Sequence, residues 1–121
     1  MQPPMQAPNG LALHQERMGW LWHRLVTTLG IHTARVLLDR ALWQTAQRHP
    51  DIALIHHDDA GLCFEALEMR YAIRPPEEIE AAFGDLNAEL LLILARLLGG
   101  EMAHRTCAGY PGTRQAGAYW A

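Results

Sequence analysis

The chain has seven histidines in 121 residues, and its densest grouping of possible metal ligands is His56-His57-Asp58-Asp59. Imidazole with carboxylate suits zinc, nickel, copper or iron. Neighbouring side chains on a strand point to opposite faces, so His56 and His57 cannot share one site without a bulge. No HExxH, paired Cys-His or facial-triad spacing accompanies the four residues. They read as a solvated hairpin tip, with metal binding as the alternative. His104 is a further ligand candidate, because the heptad phase extended past Leu97 aims it at a bundle interior. There it would be either an axial haem or metal ligand or a core histidine bonded to a backbone carbonyl. The sequence has no CxxCH haem attachment, and no cofactor is expected.

The residue inventory excludes other chemistries. Serine and lysine are both absent, which removes serine-nucleophile hydrolysis, Schiff-base chemistry and a Walker-type phosphate loop. Glu65, Glu68, Glu77, Glu78 and Glu80 read as helix-surface acids with no nucleophile nearby, so the expectation is a protein that is not an enzyme. Ten arginines against thirteen acids leave a net charge of −3, which gives no general attraction to nucleic acid or anionic lipid. Cys63 and Cys107 lie far apart without a CxxC pairing, which points to a reducing compartment. The apolar run from Leu90 to Leu98 is broken by Arg96 and falls short of the ~20 residues that a membrane span needs. A cytoplasmic location is expected, and the arginine-only basic set has the texture of small bacterial regulatory modules.

These side chains need elements to position them, and the patterning predicts a mostly helical α+β fold. It has about three main helices with a short β-hairpin, and ends in a long C-terminal helix. Residues 1–10, with three prolines, a glycine and an asparagine, read as a flexible leader. A single globular domain is expected over 11–108, and a flexible tail over 109–121 carrying Tyr110, Tyr119 and Trp120. Met18, Leu21, Trp22, Leu25, Val26 and Leu29 form a helical stripe, continued by Val36, Leu38, Ala41, Leu42 and Thr45. The phase shifts at Gly30, which predicts two helices with a glycine break between them. Trp20, Trp22 and Trp43 are expected as core or interface anchors. After Pro50, the apolar run Ile52, Leu54, Ile55 and the run Leu62-Cys63-Phe64 flank Asp58-Asp59-Ala60-Gly61, as two short strands flank a turn. Glu65 to Tyr71 can form a short helix before Pro75-Pro76.

A helix-turn-helix reading of Arg24 to Ala41 is the third functional possibility. It fails on the apolar run Val36-Leu37-Leu38, which would occupy the recognition face, and on the missing basic surround. The strongest signal lies later. Pro76-Glu77-Glu78 opens a helix, and Ile79, Phe83, Leu86, Leu90, Ile93 and Leu97 follow at alternating steps of four and three. That is a heptad seam, widened by Leu91, Leu94 and Leu98. A stripe this wide exceeds what one neighbouring helix covers, so a homodimer interface is expected through Ile79, Phe83, Leu86, Leu90, Ile93, Leu94, Leu97 and Leu98. The leading expectation is therefore a non-enzymatic, dimeric protein-interaction or regulatory module. A histidine-liganded metal or haem sensor is the alternative.

Overall fold

The computed structural model describes residues 10–58 and 61–107. In chain order it has α1 (Leu11–Leu29), α2 (Ile31–Ala46), a 3-10 turn (Pro50–Leu54), β1 (His56–Asp58), β2 (Gly61–Cys63), α3 (Glu65–Tyr71), α4 (Pro76–Leu98) and α5 (Gly100–Cys107). The protein is mostly helical. Among the described residues there are five α-helices and a two-stranded antiparallel hairpin, rather than three helices. Beyond the three long helices stand two short ones: α3, over the Glu65–Tyr71 stretch expected to form a short helix, and α5. The expected tail, and the leader apart from Gly10, lie outside the described residues.

Two helix junctions are built the same way. Gly30 has φ 85° and ψ 158°, and Gly99 has φ 88° and ψ 155°. This backbone region is nearly closed to residues with a Cβ. Each glycine N–H donates to the carbonyl four residues earlier, Val26 for Gly30 and Ala95 for Gly99, and each glycine carbonyl accepts from the next helix, from Ala34 and Ala103. One residue thus ends a helix and starts another in a new direction. The expected break at Gly30 is present, and a second one at Gly99 separates α4 from α5.

The long helix α4 packs on α2 and α5, with smaller contacts to α1. Its buried residues are Ile79, Ala82, Phe83, Gly84, Leu86, Asn87, Leu90 and Leu94. That spacing follows the 3.6-residue period, and the heptad seam does not continue along the helix. At Leu90 the seam would step to Ile93 and Leu97, but Leu94 is the buried side chain, while Ile93 is half-buried and Leu97 is 60% exposed. A straight helix drifts about 20° per heptad, so without supercoiling the apolar face moves off the seven-residue pattern. A similar shift occurs in α2. Leu37 joins Ala34, Leu38, Ala41 and Leu42 in the core, and Val36, expected in the stripe, is 68% exposed.

The segment after α2 also differs from expectation. Ile52, Leu54 and Ile55 do not form a strand. With Pro50 fixing its first position, the chain winds into a 3-10 turn that buries Ile52 and, just after it, Ile55. Residues three apart eclipse in that geometry, so one short turn aims both at the core. The strand starts one residue later, with His56 opposite Cys63, His57 opposite Leu62 and Asp58 opposite Gly61.

The packing of α1 on α4 includes one titratable contact. The His14 imidazole stacks on the Phe83 ring, with centroids 5.1 Å apart and planes 12° from parallel. Burial lowers the His14 pKa from its ordinary 6.5, the Arg17 charge lowers it further, and Glu80 partly opposes both. The unfolded chain therefore binds a proton that the folded chain resists. His14 supports folding above about pH 6.5, and that support is lost as the pH falls below this value. Denaturant titrations from about pH 7.5 down to about pH 5.5 should show stability falling, and His14→Phe, which keeps a stacked ring, should flatten that part of the profile.

Candidate functional site

A concave feature lies where the end of α2, the 3-10 turn, α3 and the first turns of α4 meet. It is a cleft of about 570 Å³, and Arg48, His49, Pro50, Asp51, Tyr71, Arg74, Glu77, Glu78 and Ala81 line it. A volume of this order lies within the range of small-ligand sites. Pro50 stops the path of α2 and throws Arg48 and His49 toward α4. Pro75-Pro76 then starts α4 with Glu77 and Glu78 in its first turn, where carboxylates meet the positive end of the helix dipole.

Charge is organised in two groups around this cleft. His49 Nε2 donates to Asp85 Oδ2 at 2.7 Å. The Arg48 guanidinium lies beside the same carboxylate at 3.9 Å and beside Glu89 at 3.8 Å. On the other side Arg74 donates to Asp51 at 3.2 Å and lies 3.5 Å from Glu78. Tyr71, buried at the base, has its hydroxyl pKa raised by burial and then by the Asp51 charge. No local sequence pattern marks these residues as a site. Arg74 and Glu78, four apart, carry a readable ion-pair spacing, but His49 and Asp85 are 36 positions apart and no local pattern connects them.

The hairpin histidines do different things. His57 is an anchor. Its ring stacks on Trp22 of α1, with centroids 5.7 Å apart, and its Nε2 lies 2.8 Å from Asp39 Oδ1 of α2. One imidazole thus ties β1 to both helices, a tertiary role that a solvated tip would not have. His56 and Asp58 are exposed, and Asp59 lies outside the described residues. His104 is also exposed, so α5 does not aim it at the bundle interior. Gly99 redirects the chain, and the phase of α4 does not carry through it. Among the described residues no three His, Cys, Asp or Glu side chains come together as a metal-ligand set.

The expected interface residues separate into two groups. Ile79, Phe83, Leu86, Leu90 and Leu94 are buried within a single chain and have no surface to offer a partner. Ile93 and Leu98 are half-buried and Leu97 is exposed. Of the tryptophans, Trp22 is buried, Trp20 is half-buried and Trp43 stands largely in solvent on the outer face of α2. Val36 and Arg40 share that exposure. Among the described residues no helix is long and apolar enough to cross a membrane. No family model, no curated protein and no solved structure matches this chain.

Proposed function

We propose that the chain is a non-enzymatic interaction or regulatory module that works as a homodimer through the C-terminal turns of α4. The observation that carries this reading is the exposure of Leu97. It lies seven residues after the buried Leu90, yet it is 60% exposed, because the apolar face of α4 has turned off the seven-residue phase by that point. Ile93, one turn earlier, is half-buried and adjoins it at i,i+4 spacing. A small apolar patch of this kind is self-complementary under two-fold pairing, the commonest symmetry of soluble assemblies.

The test is light scattering at micromolar concentration and moderate salt. Wild type should give the mass of a dimer. Leu97→Glu should give a monomer that keeps the far-UV circular dichroism of the folded chain, because the position lies outside the core. A monomeric wild type would overturn the proposal.

A further inference from the structure

We infer that the groove between α1 and the hairpin holds the side chain of Trp120, carried there by this chain's own residues 108–121. The groove has a volume of about 360 Å³, and Trp22, Val26, Ile31, Leu62 and Phe64 line it around Gly19. Its size lies within the range of small-ligand sites, and its lining is mostly apolar, with two aromatic residues. His23 and Asp58 complete it and offer an indole N–H a polar partner.

Gly19 is the observation that points to an occupant. It stands in the interior of α1, where every residue but proline is a better helix former. Nothing among the described residues requires it: its φ is not in the left-handed region, and a Cβ there would meet nothing within 4 Å. What the missing Cβ does is leave an open floor in the groove, and a flat ring is the group that such a floor fits.

The fold brings that ring to the right helix. α5 packs on α1, and Arg24 Nε donates to the Thr106 carbonyl at 3.1 Å. The chain therefore reaches Cys107 beside the helix whose Gly19, Trp22 and Val26 line the groove. Trp120 follows Cys107 by thirteen positions, a reach of more than about 40 Å when extended. Passing half-way round a helix about 12 Å across takes under about 20 Å. Residues 108–121 contain Tyr110, Tyr119 and Trp120, whereas residues 1–9 contain no aromatic residue, so the C-terminal segment and not the N-terminal one supplies the ring. Tethering gives Trp120 a local concentration of roughly millimolar order, at which one apolar anchor suffices. The contact forms within one chain and does not depend on pairing through α4.

The test is nuclear Overhauser spectroscopy on the full labelled chain. Cross-peaks are expected from the Trp120 ring to the methyl groups of Val26, Ile31 and Leu62. Gly19→Leu fills the groove with a better helix former, so it should remove those cross-peaks while the far-UV circular dichroism is kept and the thermal midpoint does not fall. Trp120→Ala empties the groove and should let N-acetyl-Tyr-Trp-amide bind there saturably, about tenfold more tightly than it binds wild type, where the tethered ring competes. Absence of the cross-peaks, or their survival in Gly19→Leu, would overturn the inference. So would equal affinity of wild type and Trp120→Ala for the dipeptide, and so would cross-peaks found only between differently labelled copies in a mixture, which would give the groove to a second copy's segment.

Discussion

Truncating Leu94 to alanine is expected to destabilise the protein by about 2–5 kcal/mol, whereas Leu97→Ala should change stability by less than about 0.5 kcal/mol. The two leucines are three residues apart on one helix and have the same side chain, so propensity cannot separate them. Burial does. Leu94 is 0% exposed within the core, and its loss leaves a cavity there, while Leu97 is 60% exposed. Against a total of about 5–15 kcal/mol for a small domain, the first change is a large fraction and the second is close to measurement error. Urea unfolding of both variants, at a concentration where wild type is monomeric, measures the difference. Equal losses would mean that α4 keeps its heptad phase and that Leu97 is buried as Leu94 is.

The second large effect is expected at Gly30. Ala substitution there removes a residue with φ 85° and ψ 158°, and a Cβ in that region costs on the order of 1–3 kcal/mol. Two considerations favour alanine. It is the better helix former, and it restricts the unfolded chain, which stabilises by about 0.4–1 kcal/mol where the native backbone suits it. Space is no obstacle either, since nothing lies within 4 Å of where a Cβ would project. The backbone conformation decides the outcome, and a net loss is expected. Gly99→Ala should behave alike, as its φ of 88° and ψ of 155° nearly repeat those of Gly30. Thermal unfolding gives the size of the loss, and far-UV circular dichroism shows whether α1 and α2 fuse into one helix. An unchanged or raised midpoint would show that the junction relaxes to an ordinary helical dihedral at no net cost.

Both results bear on how the chain encodes its fold. Gly30 could be read as a break because glycine and the phase shift around it are local facts, but the missing turn between the helices could not. Nothing in the residues flanking Gly30 indicates that a single residue suffices to redirect the chain. The hairpin shows the same limit. Asp58 and Gly61 announce a turn, and the pairing of Asp58 with Gly61 follows from it, yet the apolar run before it has the pattern of a strand and is not one. Ile52 and Ile55 suit a strand and a 3-10 turn equally well until Pro50 and the position of the core choose between them.

His57 is the clearest case of a residue whose meaning lies elsewhere in the fold. Beside His56 and Asp58 it looks like part of a ligand cluster. Beside Trp22 and Asp39, which are 35 and 18 positions away, it is a clamp holding the hairpin to two helices. The same holds for His49 and Asp85, which meet because α2 ends against α4.

Proline and glycine mark the break at Gly30 and the start of α4 at Pro76 in the residue order alone, because they act on their own dihedrals and on their immediate neighbours. The sequence also determines the predominance of helix, through the spacing of Met18, Leu21, Leu25 and of Ile79, Phe83, Leu86, Leu90. It excludes serine- and lysine-based chemistry by composition alone. Packing selects which apolar residues face inward at the margins of each stripe: Leu94 over Ile93 and Leu97, and Leu37 over Val36. Only the tertiary structure decides which distant charges become partners around the cleft. The physical reason is one of range. Dihedral preference is a property of a few adjacent residues. Burial and ion pairing depend on what lies across the gap, and the partner there can be any residue the fold brings within a few ångströms.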